Sequence, residues 1–401
     1  MRTTWTFQGA GQIVFGPGAA AQLGAIARGL GAGRALLVTD RHLVAAGLAE
    51  QVGGALAEGG VEVTLFDGGE PEPSMRAGVA CAELAATVKP NVLVGLGGGS
   101  NIDLAKISAA LVAHGGHPRD YVGDGKLPGP VAPLIAVPTT GGTGAEVSAA
   151  SVLMDEERNV KVGVLSQFLR PRVAVVDPLL TVSCPPKVTA DSGIDALTHA
   201  IEAYTAIDNA DFPLPDGEVS IYQGRHPLGD CLAEKAIRLI SQSLAAAVRD
   251  GKDLRAREGM HLGALLAGLA FSNVGVAAVH ALEYPIGGAV HCSHGCGNGL
   301  LLPYVMEFNK PVRLEAMARV AECMGVDTRG MSTEEAADAA IAAVRALRLE
   351  IGIPDRLREI GVQEDQLRGL AEMAAGITRI MRVNPRPVTA DDCEAILRAA
   401  Y

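Results

Sequence analysis

The chain has 401 residues, of which 48% are hydrophobic and 20% are charged. This length and apolar content predict a folded protein with room for two domains and exclude a disordered chain. The formal net charge is −11 with Lys and Arg scattered, which argues against a nucleic-acid-binding protein. The seven cysteines include no CxxC pair, which indicates reduced thiols.

The N-terminal residues show no signal-peptide pattern, and no apolar run approaches the ~20 residues of a membrane span. We therefore expect a cytoplasmic protein that acts on a small molecule, with neither a membrane nor a nucleic acid as its partner.

The first 185 residues alternate short apolar runs with helical patterns. This alternation predicts an α/β domain with a parallel sheet. The predicted strands are 35–40, 61–68, 91–100, 134–140 and 173–178, and the predicted helices include 19–29 and 74–88.

The third of these segments, 91–100, is a strand that runs into a turn of three glycines. Gly97, Gly98 and Gly99 allow backbone N–H groups to approach a phosphate, and we expect Ser100 to cap the helix that follows. The segment matches neither the GxGxxG dinucleotide fingerprint nor a Walker A loop. A phosphate-binding loop and a tight structural turn are therefore both open at this point.

A second polar, glycine-rich loop follows the predicted strand 134–140 and offers the hydroxyls of Thr139, Thr140 and Thr143. The carboxyl ends of parallel strands meet at one edge of a sheet, where ligands bind in open α/β folds. We therefore expect the two glycine loops to lie at the same edge.

Asp40 ends the first predicted strand. A carboxylate there could accept hydrogen bonds from an adenosine ribose and repel a 2′-phosphate, which favours NAD over NADP. A helix or turn cap is the alternative for this residue.

Strand patterns nearly vanish after residue 185, and segments such as 232–251, 337–347 and 391–400 have apolar residues at helical spacing. The prediction is therefore two domains: an α/β domain over 1–185, which contains the candidate dinucleotide-binding loops, and an all-helical domain over 186–401. Residues 206–230 are rich in Pro, Gly and Asp, which predicts a long loop between helices.

Asp195 and His199 lie four residues apart on a predicted helix, so both face the same side. Taken alone, this pair is either a hydrogen bond on the helix or half of a metal site. His280 and His294 add two imidazoles. One carboxylate and three imidazoles form a ligand set that suits Fe(II) or Zn(II) and does not suit Mg or Ca.

Pro285, Gly287 and Gly288 lie between the last two histidines. We expect them to break the helix so that the chain turns back and presents His294 from a loop. A competing zinc set is "HCSHGC", in which Cys292 and Cys296 flank that histidine, although CxxxC is looser than the common zinc spacing.

Seven segments together resemble the iron-containing (group III) alcohol dehydrogenases along nearly the whole chain. They are "FGPGAAAQL", "LLVTD", "GLGGGSNIDLAK", "PTTGGTGAEVS", "DALTHAIEAY", the segment from His280 to His294, and "NPRPVT". The resemblance implies the dehydroquinate synthase-like/iron alcohol dehydrogenase fold. It also implies metal-dependent hydride transfer between NAD and a small alcohol or hydroxyacid, giving an aldehyde or ketone. Fe2+ is the implied ion, Zn2+ is the alternative, and a homodimer is the implied assembly.

The resemblance further implies roles for individual residues. The implied metal ligands are Asp195, His199, His280 and His294. The implied cofactor-binding residues are Gly97, Gly98, Gly99 and Ser100 at the pyrophosphate, Asp103 near the nicotinamide, Thr139, Thr140 and Thr143 in the second loop, Lys161 at a ribose, and Asp40 for NAD preference.

The sequence departs from the family pattern at Tyr284, where many members have a histidine linked to proton transfer. We consider Tyr284 as a catalytic residue that replaces it as a weak acid. The segments 222–230 and "EYPIGG" resemble the branch containing hydroxyacid–oxoacid transhydrogenase, which is one alternative function. A dehydroquinate synthase-like lyase is a more distant alternative.

Overall fold

A six-stranded sheet and a three-stranded sheet organise the first compact unit, Gln8–Cys184 with Val219–Ile221. The computed structural model describes residues 2–158, 160–215 and 217–401. The strands described are β1 (Gln12–Phe15), β2 (Arg34–Val38), β3 (Glu62–Phe66), β4 (Val92–Gly97), β5 (Gly123–Asp124), β6 (Leu134–Pro138), β7 (Ala150–Asp155), β8 (Val160–Leu165) and β9 (Val173–Val176).

The larger sheet has the order β1-β9-β6-β4-β2-β3, and every neighbouring pair is parallel. Strands β4 and β6 are fully buried, in keeping with their continuous apolar sequences. The smaller sheet, β5-β8-β7, pairs β8 antiparallel with β7.

Helices cover both faces of the parallel sheet. They are α1 (Leu23–Gly29), α2 (Arg41–Ala45), α3 (Leu48–Glu58), α4 (Met75–Val88) and α5 (Gly99–His114). On one face Leu23 of α1 and Val52 of α3 join the cluster of Leu37 and Val94. On the other face α4 and α5 pack against alternate residues of the same strands. Burial on both faces is typical of a parallel α/β sheet.

The five predicted strands are present as β2, β3, β4, β6 and β9, and the parallel α/β prediction is confirmed. The predicted helix 19–29 begins with a 3-10 turn, Ala19–Gln22, before α1. Strands β1, β5, β7 and β8 were not predicted. They are only partly buried, and they lack the continuous apolar runs of the buried strands β4 and β6.

The second compact unit comprises the segment ending at Phe7, Pro185–Glu218 and Tyr222–Tyr401. No strand occurs among its described residues, which confirms the all-helical prediction for this part of the fold. Its helices are α6 (Pro186–Thr205), α7 (Pro227–Arg249), α8 (Leu254–Val274), α9 (Ala278–Val290), α10 (His294–Asn309), α11 (Leu314–Cys323), α12 (Thr333–Glu350), α13 (Leu367–Ala375), α14 (Thr378–Met381) and α15 (Ala390–Ala400).

Helix α6 is the buried centre of this unit and packs against α7, α8 and α10. Two glycines permit the close packing. A Cβ at Gly193 would collide with Leu244 of α7 and Met260 of α8, and a Cβ at Gly299 of α10 would lie 2.6 Å from Ile194. The neighbouring helices therefore approach the same stretch of α6 that contains Asp195 and His199.

The expected helix break at Pro285–Gly288 was wrong. Helix α9 continues through Pro285 to Val290 and ends at His291, which adopts a left-handed conformation with φ 52°. His294 is the first residue of α10 and does not lie in a loop. The burial of α9 offsets the helix-breaking tendency of proline, and the chain reverses only in the short link at 291–293.

Among the described residues, no single helix is long and apolar enough to cross a membrane. Helices α8 and α9 meet that criterion only when they are taken together, and they are bent by 101° at their junction.

Candidate active site

Asp195 and His199 lie one turn apart on α6 and are both buried. His199 Nε2 lies 3.9 Å from Asp195 Oδ2, which is beyond hydrogen-bond distance. The hydrogen-bond interpretation of this pair is therefore not what the structure shows. The His199 ring instead stacks on Phe271 of α8 at 4.1 Å between centroids.

Helices α9 and α10 bring the other two predicted ligands to this point. His280 Nε2 lies 3.7 Å from Asp195 Oδ1, and the His280 ring stacks on His199 with centroids 4.8 Å apart. One ligand atom from each of Asp195, His280 and His294 falls within a group spanning 4.8 Å. The structure thus gathers three of the four predicted ligands, and His199 adjoins them.

The chemistry of these residues fits a divalent cation. His280 Nε2 and His199 Nδ1 are buried and have no hydrogen-bond partner in the described part of the chain. Burial lowers the pKa of His199 to about 3, so its imidazole is neutral, as a metal ligand must be. Burial raises the pKa of the Asp195 carboxyl. The electrostatic interaction of this carboxyl with His199, His294 and His280 is stronger, and it holds the pKa below its ordinary value.

Sequence reasoning missed three polar residues that hold the predicted ligands. Glu202 of α6 accepts from His280 Nδ1 at 2.6 Å, and Glu283 of α9 accepts from His294 Nδ1. Asn298 Nδ2 donates to Asp195 Oδ1 at 2.7 Å and lies 3.1 Å from His294 Nε2. Helical spacing could have identified two of them, because residues four or seven apart lie on the same face of a helix. Glu202 lies seven residues after Asp195, and Asn298 lies four residues after His294.

Tyr284 lies beside this cluster, with its ring centroid 5.7 Å from that of His294. Burial raises the pKa of the Tyr284 phenol, so the hydroxyl keeps its proton at neutral pH. The phenol is therefore available as a hydrogen-bond donor.

The competing zinc set from "HCSHGC" does not assemble among the described residues; neither cysteine joins the ligand group. Burial also raises the pKa of the Cys296 thiol to about 11, which disfavours the thiolate that zinc requires.

The two predicted cofactor loops meet in the α/β unit. They follow the adjacent parallel strands β4 and β6, in which Gly97 pairs with Pro138. A Cβ at Gly98 would lie 3.6 Å from Thr140 Oγ1, and a Cβ at Gly99 would lie 2.8 Å from Thr143 Cγ2. The structure thus brings both glycine loops to one edge of the sheet, as expected for loops that follow parallel strands.

The expected capping role of Ser100 was wrong. Helix α5 begins at Gly99 with Gly98 at its N-cap, and no side chain caps it. The Ser100 hydroxyl instead donates to the carbonyl of Pro71 at 2.5 Å. With glycines at the cap, the first N–H groups of α5 are left without a side-chain acceptor.

Four of the other predicted cofactor residues, Asp40, Lys161, Asp103 and Thr139, have partners within the protein. Asp40 caps α2 by accepting from His42 and Leu43 N–H, and its other oxygen accepts from Asn101 at 2.6 Å. The cap that was the alternative for Asp40 is therefore present.

Lys161 on β8 forms an ion pair with Glu72 at 2.7 Å. Asp103 pairs with the fully buried Lys106 at 3.3 Å and accepts from Val152 N–H at 3.0 Å. Thr139 is buried, and its N–H donates to Gly97 O at 3.0 Å, which ties the second loop to the first.

Comparison with known proteins decides the family. Profiles described as "Iron-containing alcohol dehydrogenase" and "Fe-containing alcohol dehydrogenase family, C-terminal" match residues 10–178 and 218–401. A long-chain-alcohol dehydrogenase of Geobacillus thermodenitrificans is 40% identical over 399 residues, covering 97% of this chain and 96% of its own. The chain belongs to the iron-containing alcohol dehydrogenase family.

Solved structures agree with this family assignment. A crystal structure of 1,3-propanediol oxidoreductase superposes with a TM-score of 0.93 at 37% identity, covering 100% of both chains. Sulfoacetaldehyde reductase from Bifidobacterium kashiwanohense, solved in complex with NAD+, superposes with a TM-score of 0.86 at 30% identity, covering 100% of this chain and 99% of its own.

The predicted fold and enzyme class are thereby confirmed: this member of the iron-containing alcohol dehydrogenase family is an oxidoreductase of alcohols and aldehydes. The transhydrogenase and lyase alternatives are not favoured by these relatives.

Proposed function

We propose that this chain oxidises a small alcohol reversibly to an aldehyde or ketone with NAD as the hydride acceptor and a divalent cation at Asp195, His199, His280 and His294. The observation that supports the metal site most directly is the convergence of three ligand atoms within 4.8 Å on three separate helices. Ligand atoms around one ion of this type are about 3.4 Å apart at tetrahedral geometry, so the 3.7 Å between His280 and Asp195 needs little adjustment.

Residues of the first, α/β unit are proposed to hold NAD. The N–H groups at Gly97, Gly98 and Gly99 and the start of α5 would bind the pyrophosphate, because a helix N-terminus without a capping side chain favours an anion. Ser100, Thr139, Thr140 and Thr143 would complete this site, with Asp103 near the nicotinamide, Lys161 at a ribose and Asp40 at the adenosine ribose. The contacts of Gly98 and Gly99 with Thr140 and Thr143 support a single site formed by both loops.

A bound divalent cation supplies charge that favours loss of the alcohol proton. The protein's part is to hold three imidazoles and one carboxylate together, and burial keeps the His199 imidazole neutral by lowering its pKa. Tyr284 is proposed to donate a hydrogen bond beside His294, which agrees with its protonated phenol. Hydride transfer itself is chemistry of the nicotinamide, for which the protein supplies orientation.

A His280→Ala variant tests the metal assignment. We expect it to lose both cation binding, measured by calorimetry with Fe2+ or Zn2+, and NADH formation from alcohols. His42→Ala, an exposed histidine in the other unit, is the matched control and should retain both. Full activity in a metal-free His280→Ala protein would refute the assignment.

The proposal also covers the substrate class, the identity of the ion and the oligomeric state. The relatives' names point to simple and long-chain alcohols and diols, so we propose primary alcohols as substrates and include hydroxyacids in the panel. Fe2+ is the proposed ion, with Zn2+ as the alternative, and parallel reconstitution with each ion tests this choice. A homodimer is proposed, and light scattering tests it.

A further inference from the structure

Glu283 is a fully buried carboxylate on α9 that the proposed chemistry does not use. One of its oxygens accepts from His294 Nδ1. Its other oxygen, Oε1, is buried without a hydrogen-bond partner among the described residues. Burial of a carboxylate is unfavourable unless another interaction compensates for it. The hydrogen bond from His294 compensates only one of the two oxygens, so the presence of a carboxylate at this position needs an explanation.

Two glycines leave the space that this carboxylate occupies. A Cβ at Gly287, one turn along α9, would lie 2.5 Å from Glu283 Oε1. A Cβ at Gly297, in the first turn of α10, would lie 2.7 Å from Glu283 Cγ. Glycine inside a helix is destabilising relative to alanine, so both helices lose stability at the positions that make room for Glu283.

We propose that Glu283 is a positioning residue that holds His294 for the cation. By accepting a hydrogen bond from Nδ1–H it fixes the tautomer in which Nε2 carries the lone pair, and it orients the ring so that His294 joins Asp195 and His280. This inference rests on the proposed metal site. Glu202 makes the same contact with His280 Nδ1 at 2.6 Å from a different helix, so two imidazoles of the site are held by buried carboxylates.

The test uses Co2+ as the probe, because its visible absorption reports ligand geometry without turnover. Glu283→Ala removes the acceptor, and Gly287→Ala displaces the carboxylate without altering any proposed ligand. Each should weaken Co2+ binding by about 10- to 100-fold and change the absorption bands. Glu283→Gln retains an oxygen that can accept from Nδ1, and it should recover most of the affinity.

Gly288→Ala is the matched control, since it is the next residue of α9 and a Cβ there meets nothing within 4 Å. It should bind Co2+ like the parent. Circular dichroism measures whether Gly287→Ala is folded at the binding temperature, and we expect it to be, because the helix propensity of alanine offsets part of the cost of the collision with Glu283. If Glu283→Ala fails to fold, Co2+ binding by Gly287→Ala still tests the role of Glu283.

Unchanged Co2+ affinity and absorption in Gly287→Ala would overturn the role of Glu283. An equal loss in Gly288→Ala would also overturn it, because the effect would then belong to α9 as a whole. If the parent protein binds no Co2+, the proposed metal site itself fails, and the two failures are thus distinguished.

Discussion

Glu202 accepts three hydrogen bonds inside the helical unit. Its carboxylate receives Ala277 N–H at 3.0 Å, Val279 N–H at 2.7 Å and His280 Nδ1 at 2.6 Å. These contacts fix the start of α9 and the orientation of His280 together. The stability of the helical unit and the geometry of the proposed metal site therefore depend on the same side chain.

Replacing Glu202 with alanine should lower the free energy of unfolding by about 3 kcal/mol, because buried N–H donors lose their acceptor. Urea unfolding followed by circular dichroism measures the change. Glu258→Ala, an exposed glutamate on α8, is the control and should change stability by less than about 0.5 kcal/mol. Equal stability of the two variants would contradict the role of Glu202.

Glu146 gives the α/β unit a specific pH dependence. Burial raises the pKa of its carboxyl from 4.5 to about 7, although a backbone hydrogen bond and Lys106 lower it. The folded state therefore keeps a proton that the unfolded state releases between these values. Stability contributed by this group is present at low pH and falls as the pH rises from 4.5 to 7, by about 3 kcal/mol in total.

Glu146→Gln cannot ionise, so its stability relative to the parent should rise across that pH window. Urea unfolding of both proteins at pH 5, 6, 7 and 8 measures the difference in the free energy of unfolding. The other titrating groups are the same in the two proteins, so their contributions cancel in this difference. Stability curves that run parallel from pH 5 to 8 would show that Glu146 does not titrate in this range.

The proposed metal ligands could be predicted from the sequence, whereas the side chains that hydrogen-bond to those ligands were missed. Helical spacing singled out Asp195 with His199, and residue type singled out His280 and His294. Glu283 could not be found in this way, since its contact with His294 depends on how α9 and α10 pack after the turn at 291–293. The capping of α2 by Asp40 is local and was foreseen as an alternative.

At the level of elements, the position of the break between α9 and α10 determines where His294 lies. Proline predicts an early break because it lacks an N–H and crowds the preceding turn. The structure keeps Pro285 within α9 and reverses the chain at His291, so His294 opens a new helix with Ser293 as its N-cap. Local propensity could not predict this, because packing of the buried α9 determines it.

The contact between the two glycine loops leads to a prediction for NAD. Alanine at Gly99 would place a Cβ 2.8 Å from Thr143 Cγ2 and 3.0 Å from its Oγ1, which should force the loops apart. We expect NAD affinity, measured by calorimetry, to fall about tenfold or more, equivalent to about 1.4 kcal/mol. Cation binding should not change.

Gly54→Ala on α3 is the control, since a Cβ there meets nothing within 4 Å. Adding Thr143→Ser to the Gly99→Ala protein removes the methyl group in the way and should restore part of the affinity. Parent-like NAD affinity in Gly99→Ala alone would exclude the proposed loop geometry.

At the scale of the whole molecule, the two proposed ligand sites belong to different compact units. Buried carboxylates of Asp195, Glu202 and Glu283 adjoin the cation site in the helical unit. Ligand binding stabilises the folded state by about 2.7 kcal/mol at a free concentration one hundred times the dissociation constant. Each ligand should therefore protect its own unit first.

Hydrogen exchange monitored by mass spectrometry tests this separation. Removing the cation with a chelator should speed exchange in α6, α9 and α10, and adding NAD should slow it in β4 and α5. The His280→Ala protein should show no further change on chelation. Cation-dependent protection confined to α4 and α5 would contradict the assignment of the two sites.

The overall architecture could be predicted because strong patterns extend over long segments: five apolar strand runs in the first 185 residues, then helical spacing to the end. The partly buried strands β1, β5, β7 and β8 escaped prediction because they lack the continuous apolar runs of the buried strands. The packing of α6 against its neighbours depends on Gly193 and Gly299, whose partners are distant in sequence.

NADH formation by metal-free and metal-reloaded protein tests the central claim most directly. The purified protein is stripped with a chelator, dialysed, and assayed with NAD and a panel of primary alcohols, diols and hydroxyacids by absorbance at the NADH band. The account predicts no NADH from the stripped protein and NADH from at least one alcohol after Fe2+ or Zn2+ is restored. Undiminished NADH formation by the stripped protein, or none from any alcohol after reloading, would contradict it.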